Sequence, residues 1–238
     1  MPLAALRARL DTAALADTFL NRLPSEAREA ILTSGTPRAV RHRQVIFGAD
    51  DSERFGVLLT GLARTYLSSR DGRQFTLRYV REGDMFGNMS GQAAERAPLS
   101  AAAVTDCNLL ELDKATVRHQ VLNDARVGAS LILEMNLRLQ DTAAALAANT
   151  LGSMHERVAW HLLDLATVGP ADGRYIASIT QQQLADHLGT AREVVARALR
   201  ELREAEIVLT SKGHMEICDP MRLSAIAGRK GPRASWTE

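Results

Sequence analysis

Three charged residues close together in the sequence offer the clearest chemistry of the chain. Arg192 and Glu193 are neighbours, and Arg197 follows about one helical turn later. An arginine can donate two hydrogen bonds to the edge of a guanine, and a glutamate can accept one from the amino group of a cytosine. On a helix that enters the major groove, side chains so spaced reach neighbouring base edges. The three residues therefore indicate contact with base pairs of double-stranded DNA.

The element that carries these residues is a predicted amphipathic helix. Four apolar residues recur at the three-and-four spacing of one buried face, namely Val195, Ala198, Leu199 and Leu202. The other face presents Arg192, Glu193, Ala196, Arg197 and Arg200. Between residues 192 and 203, four arginines stand against two glutamates. Such a positive stripe suits the phosphates of a nucleic acid.

A shorter helix is predicted just before this one. Thr180 can cap it, Gly189 supplies a sharp exit, and Thr190 can cap the helix that follows. The inward residues of the shorter helix are Leu184, Ala185 and Leu188. The pattern over 179–202 predicts a helix-turn-helix. An ordinary pair of surface helices is the alternative at this point, because Arg–Glu pairs often lie solvated on protein surfaces.

Length and composition limit the other possibilities. A chain of 238 residues suits two modest domains, and its net charge of +1 does not by itself indicate nucleic acid. Charged residues interrupt the opening stretch and no apolar run approaches a membrane span, so we expect no signal peptide, no membrane partner and a cytoplasmic protein. Cys107 and Cys218 lie far apart, which disfavours a disulfide framework. Both are expected to be small, reduced and buried.

The first half of the chain predicts helices followed by a β-roll. Helical spacing runs from Leu3 to Leu20, and a capped helix should follow near Ser25 and reach Leu32. From residue 39 to 112, short alternating apolar runs are separated by evenly spaced turn signals at Gly61, Asp71–Gly72 and Gly83–Asp84. A meander of short antiparallel strands produces this pattern. A β-roll or jelly-roll barrel is the expected product.

One long helix is predicted from Asp124 to Leu151. A stripe at coiled-coil spacing is assigned to pairing with a second copy, and its residues are Leu131, Met135, Leu139, Thr142 and Leu146. Leu133 and Leu137 form a second apolar line that could pack on the barrel. Two apolar lines need two partners, which favours a parallel homodimer over a helix packed only within its own subunit.

The second half of the chain predicts a winged helix. A break at 151–153 is the expected hinge, and a helix from Met154 to Ala166 follows with Val158, Leu162 and Leu165 inward. A short strand is predicted before the helix-turn-helix at 175–179. After it, strand signals over 207–217 predict a hairpin wing that places Lys212 near phosphate. Asp219 should cap a last helix that ends near residue 227.

The helix-turn-helix resembles that of the CRP/FNR superfamily of transcription regulators, in particular its cyclic-AMP receptor protein branch. The matching residues are Ile179, Thr180, Gln182, Leu184, Gly189, Arg192, Glu193 and Arg197. The β-roll is similar as well, through its Gly61 turn, its Asp71–Gly72 hairpin and the run 82–87. The resemblance thus covers most of the chain. It implies an α+β protein in four parts: helices with an effector-sensing cyclic-nucleotide-binding-like β-roll over 1–123, a dimerisation helix over 124–151, a winged helix-turn-helix over 152–227 and a tail over 228–238.

The resemblance also implies a function. A homodimer would read a palindromic TGTGA-like site through Arg192, Glu193 and Arg197, under the control of a small effector. Four further residues would hold phosphates, namely Thr180, Thr190, Arg200 and Lys212. The implied partners are double-stranded DNA, a second copy of the chain and RNA polymerase.

The implied effector pocket departs from the family. Its candidate residues are Gly87, Asn88, Met89, Ser90, Arg138 and Thr142. Asn88 stands where the cyclic-AMP branch has a glutamate for the ribose, and Ala97–Pro98 where it has an Arg–Ser pair for the cyclic phosphate. A phosphate left without its arginine loses several kcal/mol of binding. Cyclic AMP is therefore disfavoured as a tight effector, and the effector is unknown.

Other sensing chemistries and other functions have less support. The run 83–91 resembles the haem-binding turn of carbon-monoxide-sensing members, which also use an N-terminal proline, but their Cys and His positions fall on Gly87 and Met89. An iron–sulfur sensor would need N-terminal cysteines that the chain lacks. A haem- or gas-sensing regulator and an effector-independent regulator stay open. We expect no enzyme, because no phosphate loop, nucleophile elbow or HExxH motif occurs.

Overall fold

The computed structural model describes residues 18–48, 54–72, 74–87, 99–168 and 174–229. They divide between two compact units, Met1–Leu67 with Leu77–Thr142 and Ser68–Thr76 with Ala143–Glu238. Several sequence-based assignments fall outside the described residues: nearly all of the helix predicted over 3–20, the effector residues Asn88, Met89 and Ser90, the pair Ala97–Pro98 and almost all of the tail.

The β-roll consists of two four-stranded sheets, with the orders β1-β8-β3-β6 and β2-β7-β4-β5. Its strands are β1 Thr36–Val40, β2 Val45–Phe47, β3 Phe55–Thr60, β4 Ala63–Ser68, β5 Gln74–Val80, β6 Met85–Gly87, β7 Leu99–Ala103 and β8 Cys107–Glu111. One apolar core contains residues of both sheets, including Leu58 and Leu109 from one and Ile46 and Val80 from the other. The predicted roll is confirmed.

Two helices, α1 Phe19–Arg22 and α2 Ser25–Ser34, precede the roll. Phe19, Leu20 and Ile31 are fully buried in a second apolar core, which also includes Val57 of β3. The expected cap of α2 is wrong, because Pro24 occupies the N-cap position and no side chain caps the helix.

A helix that the sequence did not reveal, α3 Lys114–Asn123, follows the roll. Asp113 caps it by accepting a hydrogen bond from the backbone nitrogen of Thr116 at 2.9 Å. Only Val117 of its residues is buried. The apolar pattern of residues 114–123 was therefore too weak for this helix to be predicted from the sequence.

The long helix, α4 Ala125–Leu151, is present as predicted, but the assignment of its apolar lines was wrong. Leu131, assigned to pairing with a second copy, is buried in the second core together with Val127. Leu133 and Leu137, assigned to the barrel, are exposed. In the stripe assigned to pairing only the first position is wrong, because Ile132 and not Leu131 is exposed there. The exposed stripe with heptad spacing begins at Ile132 and contains Ile132, Met135, Leu139 and Leu146, together with the half-buried Thr142.

The C-terminal part is a winged helix, with α5 Met154–Leu165, β9 Ala166–Val168, β10 Tyr175–Ala177, α6 Gln181–Leu188, α7 Arg192–Glu204, β11 Val208–Ser211, β12 His214–Ile217 and α8 Pro220–Ile226. Its sheet has the order β11-β12-β10-β9. The predicted inward residues Val158, Leu162 and Leu165 are buried. Cys218 corrects another expectation, because it follows β12 in a bend and is exposed, whereas Cys107 is buried.

The junction between α4 and α5 is short. Gly152 and Ser153 alone separate the two helices. The side chain of Ser153 accepts a hydrogen bond from the backbone nitrogen of Glu156, and the Glu156 carboxylate accepts one from the backbone nitrogen of Ser153 at 2.6 Å. A Cβ atom at Gly152 would lie 2.4 Å from the carbonyl oxygen of Ala148, so the position favours glycine.

Candidate nucleic-acid interface and sensor site

The first helix of the helix-turn-helix, α6, begins and ends as the sequence predicted. Thr180 and Gln183 form a capping box, in which the Thr180 hydroxyl accepts from the Gln183 nitrogen at 3.2 Å and the Gln183 side chain accepts from the Thr180 nitrogen at 3.0 Å. Gly189 ends the helix with φ of 62°, a left-handed conformation in which a Cβ atom is unfavourable. The turn into α7 is thus fixed by local chemistry.

The second helix, α7, has the two faces that the sequence predicted. Its four apolar residues, Val195, Ala198, Leu199 and Leu202, are buried. Arg192, Glu193, Arg197 and Arg200 are exposed. The predicted cap was wrong, because Ala191 is the N-cap residue and no side chain caps α7. Thr190 still belongs to the turn, where its nitrogen donates to the carbonyl oxygen of Ala185 at 3.0 Å.

The described part of the chain leaves the charges of this face without intramolecular ion pairs. No salt bridge there involves Arg192, Glu193, Arg197 or Arg200. Charges that are not neutralised by neighbours are available to phosphates and base edges without first breaking an ion pair. The exposed face of α7 therefore has the residue types that DNA contact requires, and their charges are available to DNA.

A shallow cavity joins the helix-turn-helix to the wing. The residues that line it are Ile179, Thr180, Gln181, Gln182, Arg192, Thr210, Ser211, Gly213 and Met215. It brings together Thr180 and Arg192, two of the predicted DNA-binding residues. Lys212, a third, is exposed in the two-residue turn between β11 and β12, next to this cavity.

Two arginines that were not predicted from the sequence connect the elements that form this interface. Nη1 of Arg203 donates to the hydroxyl of Thr210 at 3.3 Å, which links α7 to the wing. Nη2 of Arg157 donates to the carbonyl oxygen of Leu188 at 2.7 Å, which links α5 to the end of α6. Burial lowers the pKa of the Arg157 guanidinium. Sequence patterns gave no sign of either contact, because both join residues of separate elements through single polar groups.

The sensor site is described only in part. Asn88, Met89 and Ser90 lie outside the described residues. Gly87 has φ of 79°, and a Cβ atom there would lie 1.8 Å from the carbonyl oxygen of Arg54, so only glycine fits. Its carbonyl oxygen accepts a hydrogen bond from Nη2 of Arg138 at 3.2 Å.

Two of the predicted sensor residues meet on α4. The hydroxyl of Thr142 donates to the carbonyl oxygen of Arg138 at 2.8 Å. Burial, and then the positive charge of Arg78, lower the pKa of the Arg138 guanidinium to about 10. Arg78 was not predicted as a site residue. In the sequence, Arg78 stands out only as a charged residue between Thr76 and Val80, with which it shares one face of β5.

The described residues limit what else the chain could hold. Among them no group of three or more His, Cys, Asp or Glu side chains is placed to bind a metal ion. None of the helices they form combines the length and apolar character needed to cross a membrane.

Two family models match the sequence. The model of the cyclic nucleotide-binding domain matches residues 37–124, and the model of the Crp-like helix-turn-helix domain matches residues 156–226. The first match covers the β-roll and α3, and the second covers the winged helix. Together they span about two-thirds of the chain.

Characterised proteins similar to the chain are regulators. The nitrogen fixation regulation protein FixK of Azorhizobium caulinodans is 29% identical over 182 residues, which are 74% of this chain and 72% of that protein. The cAMP-activated global transcriptional regulator Vfr of Pseudomonas aeruginosa is 29% identical over 173 residues, 69% of this chain and 80% of that protein.

Solved structures show the same fold. FixK2 from Bradyrhizobium japonicum superposes with a TM-score of 0.67 at 22% identity, over 81% of this chain and 96% of its own. A CRP/FNR-family transcriptional regulator from Thermus thermophilus gives a TM-score of 0.65 at 24% identity, over 82% of this chain and 100% of its own. The relatives named above are transcription regulators, which supports the expectation that the chain is not an enzyme. The chain is a DNA-binding transcription regulator of the CRP/FNR family.

Proposed function

We propose that the chain is a homodimer that reads a palindromic, TGTGA-like site in double-stranded DNA. The observation that carries this proposal is the exposed polar face of α7, whose charges form no ion pair with any described residue, opposite its buried apolar face. Arg192 would pair with a guanine, Glu193 with the opposing cytosine, and Arg197 with a second guanine or a neighbouring thymine. Contacts of this kind to base edges determine which DNA sequence is bound and do not set where the protein lies on the duplex.

Contacts to phosphates would set the register of the winged helix on the duplex. We assign them to Thr180, Thr190, Arg200 and Lys212. Thr180 supports this assignment by its place beside Arg192 in the shallow cavity, and Lys212 by its exposure at the wing turn. These contacts would add affinity for any sequence and would weaken with salt.

The dimer would form along the exposed stripe of α4. Ile132 is 65% exposed and Leu139 is 67% exposed, a cost in water that pairing with a second helix removes. The spacing of Ile132, Met135, Leu139, Thr142 and Leu146 alternates between three and four residues, which is the repeat of a left-handed coiled coil. Two winged helices related by a twofold axis match a palindromic site.

The β-roll would control the DNA-binding part through an effector. We propose that binding near Gly87 and Thr142 biases the junction at Gly152, so that two α7 helices settle about one helical turn, ~34 Å, apart. The domain limits stay those of the sequence: sensor 1–123, dimerisation helix 124–151, winged helix 152–227 and tail 228–238. RNA polymerase would be a further partner, in the cytoplasm.

The test is fluorescence anisotropy of the purified chain on a duplex with inverted TGTGA half-sites about one helical turn apart. Near-physiological salt should be used, with and without cyclic AMP. We expect stronger binding to the TGTGA duplex than to a duplex with scrambled half-sites, and we expect cyclic AMP to leave both affinities unchanged, because the pocket disfavours it as an effector. Equal affinity for the two duplexes would contradict the sequence-specific function.

A matched pair of variants makes the test specific to α7. Arg197→Ala should lose the preference for the TGTGA duplex. Arg126→Ala removes the same charge from an exposed position at the start of α4, where Arg126 pairs with Asp124 at 2.7 Å, and should keep it. If both variants bind as the parent chain does, Arg197 is not a base contact.

A further inference from the structure

A buried polar contact joins the last turn of α4 to the middle of α5. Asn149 is 8% exposed and His161 is 2% exposed. The Oδ1 atom of Asn149 lies 3.3 Å from Nε2 of His161, although the two residues belong to different helices. Both residues lie in the compact unit that contains the winged helix, as does the end of α4 from Ala143 onward. The contact is therefore internal to that unit.

The donor and the acceptor of this contact follow from a second hydrogen bond. Nδ2 of Asn149 donates to the backbone carbonyl oxygen of Ala145 at 2.8 Å. A carbonyl oxygen can only accept, so the amide nitrogen of Asn149 must face Ala145 and its amide oxygen must face His161. Because that amide oxygen can only accept as well, Nε2 of His161 carries a proton and donates the hydrogen bond. The Asn149 side chain is thus held from both ends.

A buried polar pair of this kind adds little net stability but strongly favours one arrangement of the two helices. Replacing such a pair by apolar side chains of similar shape is often neutral, because polar groups must first lose their water. Separating the two groups within the protein is costly, because the Oδ1 and Nε2 atoms would stay buried without this hydrogen bond. A hydrogen bond is also restricted in distance and angle. Asn149 and His161 therefore disfavour other angles between α4 and α5.

The angle between α4 and α5 matters because α5 is built into the winged helix. Its residues Val158, Leu162 and Leu165 are buried. Nη2 of Arg157 also donates to the carbonyl oxygen of Leu188, at the end of α6, at 2.7 Å. A change of angle at the start of α5 would therefore move α6 and α7 together with it.

The length of α5 sets the size of this effect. Its 12 residues extend over about 18 Å, since an α-helix rises about 1.5 Å per residue. A change of about 10° at its first residue would move its far end by about 3 Å. Successive base pairs of a duplex are about 3.4 Å apart. A small change in the angle would thus shift the winged helix by about one base pair along the DNA.

We propose that Asn149 and His161 are positioning residues for DNA recognition, which set the half-site spacing that the protein accepts. The inference rests on the proposed function, in which a homodimer reads a palindrome with two α7 helices. Neither residue would contact a base. They would act through the angle between α4 and α5, which determines the distance between the two α7 helices of the dimer.

The first experiment is fluorescence anisotropy of the full chain on duplexes with two inverted TGTGA half-sites, whose spacer changes by one base pair at a time. We expect the parent chain to prefer one spacer by about tenfold or more over its neighbours. Asn149→Leu/His161→Leu should reduce this preference to about threefold or less, because a less restricted junction accommodates several spacings. Its affinity for a duplex with one half-site should change by less than about twofold, because no base contact is removed. A double variant that keeps the parent preference would overturn the proposal.

Further variants make the test specific to the contact. His161→Gln retains an N–H donor for Asn149 and should retain the preference for one spacer. Asn149→Leu alone removes the acceptor of a buried donor, so it should lose the preference and also unfold at a lower temperature. Ser224→Ala removes another buried polar side chain of the winged helix, which donates to the carbonyl oxygen of Pro220 at 2.7 Å, and should keep the preference. If Ser224→Ala relaxed the preference as much as the double variant does, the effect would not belong to the contact and the proposal would be contradicted.

A measurement without DNA separates this inference from the proposed function. Nitroxide labels on an Ala144→Cys/Thr167→Cys variant, in a Cys218→Ser background, report the distance between α4 and the end of α5 by pulsed electron paramagnetic resonance. Ala144 and Thr167 are exposed, and Cys107 is buried and should stay unlabelled. Dilution with unlabelled chain restricts the signal to distances within one chain. We expect a narrow distribution of distances with Asn149 and His161 in place and a broad one with both replaced by leucine.

The two experiments give distinct outcomes. If the two distributions are equally wide while the chain prefers the TGTGA duplex, the positioning role is wrong and the regulator stands. If replacing Asn149 and His161 broadens the distribution but the parent chain shows no sequence preference, their role in fixing the angle is supported and the proposed DNA site is wrong.

Discussion

Nη2 of Arg157 donates a hydrogen bond to the carbonyl oxygen of Leu188 at 2.7 Å, across 31 positions of the sequence. Leu188 is the last residue of α6, where helix carbonyls lack intrahelical partners. A cation at this end also interacts favourably with the helix dipole. The contact fixes α5 to the point at which the chain turns into the DNA-reading helix.

The loss of this contact should destabilise the winged helix. We expect Arg157→Met to lower the free energy of unfolding by about 1 kcal/mol, because one carbonyl loses a charged donor while a partly buried cation is also removed. Urea unfolding followed by circular dichroism measures the change. Arg174→Met removes an exposed arginine paired with Glu216 and should change stability by less. If the two variants are equally stable, the Arg157 contact has no special role.

Base contacts and phosphate contacts should differ in their response to sequence and salt. Arg192→Ala should cost about 1–3 kcal/mol on the TGTGA duplex and relax its guanine preference. Lys212→Ala should weaken binding to all duplexes alike and reduce the salt slope by about one. Anisotropy titrations at several salt concentrations test both. A uniform loss for Arg192→Ala would make it a phosphate contact instead.

The exposed stripe of α4 predicts which leucines hold the dimer together. Leu139→Lys should split the dimer, because it places a charge within the proposed helix pair. Leu137→Lys introduces the same charge two residues away, on a different side of the helix, and should leave the dimer intact. Analytical ultracentrifugation gives the oligomeric state of each variant. A Leu139→Lys protein that still sediments as a dimer would refute the interface.

Two glycines should respond in opposite ways to substitution by alanine. Gly189→Ala should destabilise the chain by about 1 kcal/mol, because φ of 62° is unfavourable for a residue with a Cβ atom. Gly128→Ala lies within α4, where a Cβ atom would meet nothing closer than 3.9 Å, and should stabilise by up to about 1 kcal/mol. Thermal unfolding of the two variants provides the comparison. Equal shifts would show that the turn at Gly189 is not strained by a side chain.

Local patterns predicted the DNA-binding half well. The capping box at Thr180, the glycine at 189 and the buried face of α7 each depend on residues within one or two turns of each other. Such short-range signals can be read directly from sequence. Thr190 shows their limit. In the sequence, a threonine one position before the true N-cap residue cannot be told from a capping residue. In the structure the Thr190 nitrogen donates to the carbonyl oxygen of Ala185 in the preceding helix.

Features that depend on packing between elements could not be predicted in the same way. Leu131 and Ile132 are apolar neighbours on α4, and only packing against the second apolar core decides which of the two is buried. Arg78 has the sequence of an exposed strand residue, yet β5 turns it inward. Because a single charge within an apolar alternation also fits a solvated face, the sequence offered no means to choose.

The two-residue junction at Gly152 and Ser153 limits how much motion can be absorbed between the two helices that it joins. Two residues span only about 7 Å when fully extended, and the hydrogen bonds between Ser153 and Glu156 fix the second of them. A rotation of α4 about its own axis would therefore turn the start of α5 with it instead of being lost as slack. The short junction would thus couple the two helices tightly, so that a twist of α4 would reorient α5.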